Sequence, residues 1–300
     1  EKAKDNAFAY LTHYLQNNKN GVSQCFKEPA IKYITEFNKN RVQSGIQKYL
    51  PIKWDVPFPP PEKAKFKFID LFAGIGGFRI ALQNQGGKCV FSSEIDNSAK
   101  KTYEMNFGEV PFGDIKEFTK TSISDKRLNE LIPDHDILAA GFPCQPFSLA
   151  GVSARNYLGK EHGFGDDNQG NLFFDIIRIA KVKRPKVLFL ENVKNLKSHD
   201  KGKTFETINE MILELGYSFN FAIINSNTEV PQRRERTYMV CFRNEVDFLF
   251  PNFDGEPLPL KSILEENVSE EYTISDKLWL GHQNRSKRNK ERGTGFTVKL

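Results

Sequence analysis

Short apolar runs alternate with longer amphipathic stretches between residues 65 and 245. The helical spacing of stretches such as NLFFDIIRIAKV predicts helices, and the short runs between them predict strands. Runs such as ILAAGF are apolar at consecutive positions, which is typical of parallel strands buried on both faces. We therefore predict an α/β fold with a doubly wound, mostly parallel, Rossmann-like sheet. The predicted strands are KFKFIDLF, GGKCVFSSE, HDILAAGF, RPKVLFLE, YSFNFAIIN and RTYMVCF.

The pattern changes on either side of this alternating region. Apolar positions at helical spacing predict that residues 1–58 form a helical N-terminal appendage and the start of a linker. Three consecutive prolines, Pro59 to Pro61, cannot occupy a helix interior and predict an extended connection. The main domain is expected over residues 59–255, and residues 256–300 begin another region.

Composition and charge narrow the class of protein only slightly. The formal net charge of +5 is compatible with a polyanionic partner but does not require one. The basic run at residues 285–292 is typical of a solvated helix face. No run of 18 apolar residues occurs, and the first residues lack the apolar centre of a signal peptide, which predicts a cytoplasmic protein without a membrane partner. The four cysteines have no C-x-x-C spacing, which argues against a disulfide framework and a zinc site.

A glycine-rich turn follows the first predicted strand, in FIDLFAGIGGF. Gly74 and Gly76 allow backbone N–H groups to approach a ligand closely. Arg79 stands where a dinucleotide-binding fingerprint would have its third glycine, which argues against an NAD-dependent dehydrogenase. Glu94 follows the second strand and suits the two hydroxyls of a ribose, so we expect a nucleoside ligand without a pyrophosphate. Asp114, after the next apolar segment, suits an adenine amino group and a helix cap equally well.

Cys144 lies in GFPCQPFS, directly after another predicted strand. This rigid setting at the ligand-binding edge is unlike the apolar strands around Cys89 and Cys241, which predict packing roles for those two residues. Glu191 and an arginine cluster follow later strands. Each of these features alone is also typical of a helix cap or a solvated surface.

Together these segments resemble a known family. DLFAGIGGFR, PCQ, ENV and Q-x-R-x-R occur in this order within residues 65 to 245, as in bacterial DNA (cytosine-5)-methyltransferases of restriction-modification and orphan type. The resemblance implies an S-adenosylmethionine-dependent methyltransferase fold, with residues 59–255 as the catalytic domain. It also implies S-adenosyl-L-methionine as the cofactor, S-adenosyl-L-homocysteine as the product and duplex DNA as the partner.

The family continues further towards its C-terminus than the present sequence. By their position after the arginine element, residues 256–300 are expected to be the start of an incomplete target-recognition region. We therefore expect either a missing C-terminal segment or a second polypeptide that supplies the recognition domain. On this expectation, residues 1–300 alone show little site-specific methylation.

The resemblance also implies roles for individual residues. Cys144 would attack carbon 6 of cytosine, Glu191 would protonate or hydrogen-bond ring nitrogen 3, and Arg234 and Arg236 would lie near the target base. The residues implied to surround the cofactor are Asp70, Phe72, Gly74, Gly76, Glu94, Ile95, Asp114, Ile115 and Pro143.

Contacts with DNA are expected around and after the cysteine. Gln145 and Ser148 match positions that contact DNA near the extruded base. The segment at residues 149–170 is long, glycine-rich and aperiodic, which is typical of a functional lid. We predict that it closes on the DNA, with phosphate contacts from Ser153, Arg155 and Lys160.

The chemistry explains why a cysteine and a carboxyl group are needed. Carbon 5 of cytosine is a poor nucleophile, and addition of a thiolate at carbon 6 turns it into the nucleophilic carbon of an enamine. The base must leave the helix for this attack to be possible. The same chemistry would serve an RNA (tRNA) cytosine-5 methyltransferase, and a catalytically silent DNA-binding homologue is the other alternative.

Overall fold

The computed structural model describes residues 2–17, 24–44, 52, 55–143 and 172–293. Sheet strands and helices alternate along the chain, as the hydrophobic pattern predicts. The strands are β1 (Phe66–Leu71), β2 (Gly87–Ser93), β3 (Ile137–Gly141), β4 (Val187–Val193), β5 (Asn220–Asn225) and β6 (Glu235–Phe242). The helices are α1 (Lys2–Asn17), α2 (Gln24–Ser44), α3 (Gly77–Asn84), α4 (Asn97–Phe107), α5 (Lys116–Thr119), α6 (Asp125–Leu131), α7 (Leu172–Lys183), α8 (Lys203–Glu214) and α9 (Asp276–Glu291).

The strands form one sheet in the order β2-β1-β3-β4-β6-β5. The β1/β2, β1/β3 and β3/β4 pairs are all parallel, so their carboxyl ends share one edge. Strand β6 is antiparallel to β4, because Arg243 N donates to Lys186 O at one end while Thr237 Oγ1 donates to Val193 O at the other. The predicted doubly wound, mostly parallel sheet is confirmed.

Apolar side chains pack on both faces of the sheet. Ile69 and Leu71 belong to the largest buried cluster, together with residues of α7 and α8. Phe68, the residue before Ile69, lies in a second cluster with Leu82 of α3. This alternation along β1 is the period of two that a strand imposes on its side chains. Helices therefore cover both faces and bury the strands between them.

The predicted packing roles of two cysteines are confirmed. Cys89 and Cys241 are buried free thiols, and burial raises the pKa of Cys241 to about 12. Both thiols are therefore protonated at neutral pH and behave as small apolar side chains. Cys25, in α2, is also free and is half-buried against the main core.

The N-terminal helices pack against the sheet. Ala9 of α1 and Phe26 of α2 are fully buried in the same cluster as Phe91 of β2 and Phe112. Tyr10 meets Phe112 edge-on, with ring centroids 4.9 Å apart. The first helices thus contribute directly to the core that supports β1 and β2.

The chain divides into two compact units. One comprises residues 1–222 and 237–249, and the other comprises residues 223–236 and 250–300. In the second unit, Ser226 N donates to Arg234 O and Leu258 N donates to Asn227 O. Helix α9 belongs to this unit, and Ser275, the residue before it, caps its start because the Ser275 side chain accepts from Leu278 N. None of the helices described has the length and apolar character needed to cross a membrane.

Candidate active site

The turn between β1 and α3 adopts the unusual backbone that its glycines predict. Phe72, Gly74 and Gly76 all have positive φ, at 56°, 54° and 98°. Gly76 also lies against the ring of Phe107, since an added Cβ would be 2.2 Å from Phe107 Cε2. A Cβ on Gly74 would meet nothing within 4 Å among the described residues. The Phe107 ring therefore fills the space next to Gly76, whereas the space next to Gly74 is open among the described residues.

Glu94 connects this turn to the end of β2. Its Oε2 accepts a hydrogen bond from Gly74 N at 2.7 Å, and its Oε1 accepts from Asp96 N at 2.8 Å. Each carboxylate oxygen has a second lone pair, so Glu94 retains the capacity to accept from ligand hydroxyls. The next side chain, Ile95, is 70% exposed and provides an apolar surface beside the carboxylate.

Asp70 is a buried carboxyl at the end of β1. Tyr103 Oη lies 3.5 Å from Asp70 Oδ2, and Asp70 Oδ1 has no hydrogen-bond partner among the described residues. Burial raises the pKa of Asp70 to about 8, although the nearby Arg79 guanidinium acts in the opposite direction. An unpartnered buried oxygen of this kind suits a polar or cationic group supplied by a ligand.

The other predicted cofactor residues occupy different environments. Phe72 is half-buried against the main core, and Pro143 is exposed after β3. Asp114 Oδ1 accepts at 3.0 Å from the backbone N–H of Lys116, the first residue of α5. The Ile115 side chain is only 2% exposed and packs in the core, which leaves its backbone as the part that a ligand can reach.

The ends of β3 and β4 bring the predicted acid close to the cysteine segment. Gly141 and Glu191 are partners in the parallel register. A Cβ on Gly141 would lie 3.4 Å from Glu191 Oε2, so the carboxyl group lies beside this glycine. Cys144 is three residues further along the chain. Glu191 therefore lies next to the backbone that leads directly to the predicted nucleophile.

Asn192 is a site residue to which the sequence assigns no role. It is buried, and its Nδ2 donates to Phe142 O at 3.0 Å while its Oδ1 accepts from Val193 N at 2.8 Å. It thus ties the backbone two residues before Cys144 to the strand that carries Glu191. The only sequence signal was its position directly after Glu191 in ENV.

Two groups of predicted site residues remain, the arginines and the residues around and after Cys144. Arg234 and Arg236 belong to the second unit, where Arg236 Nη1 donates to Glu235 O at 2.9 Å. The other predicted residues lie outside the described residues, and these are Cys144, Gln145, Ser148, Ser153, Arg155 and Lys160.

Comparisons with known proteins agree with this architecture. The profile of the family described as C-5 cytosine-specific DNA methylase matches residues 66–300. Type II methyltransferase M1.ScrFI of Lactococcus lactis subsp. cremoris is 51% identical over 251 residues, which cover 81% of this chain and 60% of that protein. The DNA-cytosine methyltransferase of Escherichia coli (strain K12) is 42% identical over 277 residues, covering 80% of this chain and 58% of that protein. The chain thus spans about three fifths of the length of these curated relatives.

A solved structure extends the comparison to the fold. The S. pombe Dnmt2 methyltransferase superposes with a TM-score of 0.53 at 18% sequence identity. The superposition covers 73% of this chain and 66% of that one. At this level of identity the likeness shows the fold alone.

Proposed function

Because the chain belongs to the C-5 cytosine-specific DNA methylase family, we propose that it methylates carbon 5 of a cytosine flipped out of duplex DNA, using S-adenosyl-L-methionine. The observation that carries the proposal is the position of Glu191 beside Gly141, three residues before Cys144. The reaction adds a nucleophile to one atom of the cytosine ring and protonates another. We therefore expect the nucleophile and the proton donor to lie close together, as residues at neighbouring strand ends can.

The residues at the ends of β1 and β2 fit an S-adenosyl donor. The space beside Gly74 is open, the Glu94 carboxylate faces the turn, and Ile95 is exposed for contact with an adenine ring. The unpartnered Oδ1 of Asp70 suits a hydrogen-bond donor in the methionine portion. When bound, the donor supplies an electrophilic methyl group. The polar groups of the turn hold and orient it, and S-adenosyl-L-homocysteine is the product that leaves.

The assigned donor residues divide between side-chain and backbone roles. Phe72, Ile95 and Pro143 provide apolar surface, and Asp70 and Glu94 provide carboxylate oxygens. Gly74, Gly76, Asp114 and Ile115 bring the backbone of the turn and of the α5 N-terminus to the ligand.

In the proposed reaction the Cys144 thiolate forms a bond to carbon 6 of the cytosine. Glu191 donates a proton or a strong hydrogen bond to ring nitrogen 3, so negative charge does not accumulate on the ring. Carbon 5 would then take the methyl group of the sulfonium donor, and solvent water would accept the carbon 5 proton. The electron pair from that C–H bond would expel the Cys144 sulfur as a thiolate, and ring nitrogen 3 would return its proton to Glu191. Arg234 and Arg236 are assigned to the base and its surroundings, with Arg236 on the carbonyl oxygen. Their positive charges favour the thiolate form of the cysteine.

We assign the DNA contacts near the base to Gln145 and Ser148, and phosphate contacts to Ser153, Arg155 and Lys160 in the predicted lid. We further propose that the protein is cytoplasmic and acts on bacterial DNA. A recognition domain supplied by a further segment or by a second polypeptide would determine the target sequence.

Trapping of the covalent adduct tests this proposal. The protein, expressed from its complete locus, is incubated with S-adenosylmethionine and duplex DNA containing 5-fluorocytosine, because fluorine at carbon 5 blocks the final elimination. We expect a denaturation-resistant complex of protein and DNA, detected by mass spectrometry. Cys144→Ser should abolish it, while Cys25→Ser, which changes a half-buried thiol in α2, should leave it unchanged.

The same experiment separates the competing functions. An adduct that survives Cys144→Ser would reject the assigned nucleophile. Adduct formation with fluorinated tRNA but not with duplex DNA would instead support the RNA methyltransferase. A protein that binds the duplex without forming any adduct would be a silent homologue.

A further inference from the structure

Helix α1 directs a row of polar side chains at the segments that carry the donor residues. Asn6, His13 and Gln16 recur at spacings of seven and three residues, which places them on one face of the helix. Each of them makes a hydrogen bond to a residue more than 60 positions later in the chain. The sequence assigned no role to these side chains.

Gln16 contacts the helix that follows the glycine turn. Its Oε1 accepts from Arg79 Nη2 at 3.0 Å, and its Nε2 donates to Phe107 O at 2.7 Å. Arg79 is the third residue of α3, and the Phe107 ring packs against Gly76. The Gln16 side chain therefore binds both α3, which begins at the turn, and Phe107, whose ring packs against Gly76.

His13 contacts the end of β2 two residues before Glu94. Its Nδ1 lies 2.9 Å from Ala9 O, and its Nε2 accepts from Ser92 N at 3.2 Å. These two partners require the neutral tautomer with the proton on Nδ1. Burial also lowers the pKa of His13, which favours the neutral form. Ser92 Oγ in turn donates to Glu109 Oε1 at 3.0 Å, so His13 adjoins the buried Arg79–Glu109 pair.

Asn6 reaches the third segment of the donor site. Its Oδ1 accepts from Gly113 N at 2.9 Å, one residue before Asp114. Thr12 Oγ1 accepts from Val110 N at 3.1 Å in the same segment. Helix α1 thus provides acceptors for backbone N–H groups in the strand end before Glu94 and in the loop before Asp114.

We propose that α1 is a positioning helix for the methyl-donor site. Through Asn6, His13 and Gln16 it fixes the relative positions of the Asp114 loop, the Glu94 strand end and the glycine-turn helix. This inference rests on the proposed function, because it assumes that these three segments surround the donor. The three side chains do not touch the donor themselves, and they act through Gly113, Ser92 and Arg79.

The polarity of the contact distinguishes this role from ordinary helix packing. Apolar burial of Ala9 and Leu11 already attaches α1 to the core, and apolar contacts are not directional. Hydrogen bonds are directional, so they fix the partner atoms within a narrow range of positions. Displacement of a donor-binding group by about 1 Å is enough to reduce function strongly.

Affinity for S-adenosylhomocysteine and hydrogen exchange test the proposal on protein expressed from its complete locus. Gln16→Met and His13→Leu keep the approximate size of each side chain but remove the hydrogen bonds, and Asn6→Ala is a milder variant. We expect affinity for S-adenosylhomocysteine to fall about tenfold in the first two. His13→Gln, a separate variant, retains a neutral acceptor near the Nε2 position. Unlike His13→Leu, it should have an affinity for S-adenosylhomocysteine within about threefold of the wild type.

Tyr217→Phe is the matched control. It removes a buried hydrogen bond, from the Tyr217 hydroxyl to Pro185 O at 2.6 Å, in a part of the fold that does not contact α1 in any hydrogen bond described above. It should lose comparable stability while its affinity stays within about twofold of the wild type. In ligand-free protein, deuterium exchange should accelerate at residues 73–77, 92–96 and 113–117 in the α1 variants and not in Tyr217→Phe.

Each outcome decides a different point. Affinity and exchange changes in the α1 variants no larger than those in Tyr217→Phe would overturn the positioning role. Failure of His13→Gln to restore affinity would overturn the part assigned to His13. Accelerated exchange in the three segments, combined with no binding of S-adenosylhomocysteine by the wild type, would overturn the proposed function and leave α1 as the element that orders these segments.

Discussion

The candidate active site has two halves: the donor half at the ends of β1 and β2, and the half at the ends of β3 and β4 that carries Glu191. Different contacts hold each half together. Beneath the ends of β1 and β2, the Arg79 guanidinium and the Glu109 carboxylate are 2.7 Å apart and both fully buried. Beneath the ends of β3 and β4, the corresponding tie is a neutral amide, from Asn192 Nδ2 to Phe142 O. Among the described contacts, the half at β1 and β2 thus contains a buried ion pair, and the half that carries Glu191 contains the neutral Asn192–Phe142 hydrogen bond.

This difference predicts different responses to mutation. Removal of one partner from a buried ion pair leaves the other charge without compensation, which is strongly destabilising. Removal of a neutral donor costs less and acts locally. We expect substitutions in the donor half to reduce stability and cofactor binding together. Substitutions in the other half should reduce the reaction rate while the fold remains stable.

The largest expected effect follows substitution of Arg79. Its guanidinium also donates to Tyr103 Oη at 3.1 Å and to Gln83 Oε1 at 2.8 Å, and it lies over the Phe107 ring. Arg79→Met should lower the free energy of unfolding by about 3–5 kcal/mol, because Glu109 stays buried without its partner. Urea denaturation measures the loss.

Arg127→Met is the control for this change. Arg127 pairs with Glu130 at 3.0 Å on the surface, where both side chains are about half exposed. Surface pairs of this kind contribute less than about 1 kcal/mol. Equal losses from the two Arg→Met substitutions would show that buried charge does not distinguish the donor half.

A pair of glycine substitutions sharpens the comparison. Gly76→Ala places a Cβ 2.2 Å from Phe107 Cε2 at a φ of 98°, so we expect a loss of about 2–4 kcal/mol in stability and weak binding of S-adenosylhomocysteine. Gly141→Ala places its Cβ 3.4 Å from Glu191 Oε2, which the fold can accommodate. It should preserve melting temperature and binding but slow adduct formation, because the new methyl group lies in contact with the Glu191 carboxyl. A stability loss in Gly141→Ala as large as that in Gly76→Ala would contradict the division.

Local sequence patterns predicted the parts of this arrangement that depend on strand order. Gly74 and Glu94 follow neighbouring parallel strands, so the predicted strand order places them at the same edge of the sheet, where the structure shows them hydrogen-bonded. The same reasoning placed Glu191 at the edge where the Cys144 segment begins.

The supporting contacts could not be predicted in this way. Arg79 stood out only because it was not glycine, and its partners Glu109 and Gln16 are 30 and 63 residues away. Such pairings depend on where helices cross the sheet, which a period of 3.6 or 2 does not determine. Ile115 illustrates the same limit, because its place after Asp114 did not reveal that its side chain packs in the core.

A buried histidine far from the site makes the free energy of unfolding depend on pH. His135 precedes β3, at the opposite edge from the site, and burial lowers its pKa from 6.5 to about 4. At this site the unfolded chain therefore binds more protons between these values, and the contribution of His135 to the free energy of unfolding falls as pH drops from 6.5 to 4. The loss is at most about 3 kcal/mol, from the size of the shift. It is complete below the folded pKa and absent above pH 6.5.

Replacing His135 with asparagine, in His135→Asn, isolates this contribution. The new side-chain amide would retain a donor for Pro133 O, which lies 2.8 Å from His135 Nδ1, but would not titrate. The neighbouring carboxyls Asp134 and Asp136 have lowered pKa values, so their own losses begin only below pH 3.8. Thermal denaturation between pH 7.5 and 4 should show a smaller decline in the variant. Identical declines would exclude His135 as the source.

A small effect on stability, and a selective effect on function, is expected for Asn192. Asn192→Ala removes the donor to Phe142 O and should cost about 1–2 kcal/mol. Phe142 is two residues before Cys144, so under the proposed mechanism we expect release of its carbonyl to alter the approach of the thiol to carbon 6. The rate of adduct formation should fall about tenfold or more, while affinity for S-adenosylhomocysteine stays within about twofold.

Asn192→Asp provides the matching control at a pH at which the new carboxyl is ionised, since it then keeps the acceptor for Val193 N but loses the donor to Phe142 O. If the link to Phe142 positions the cysteine, Asn192→Asp and Asn192→Ala should slow adduct formation alike. If Asn192→Asp retained the wild-type rate, the Phe142 bond would have no part in positioning. A parallel loss of donor affinity in both variants would mean that the two halves of the edge are coupled, and the contrast between buried charge and neutral hydrogen bonds would then describe stability only.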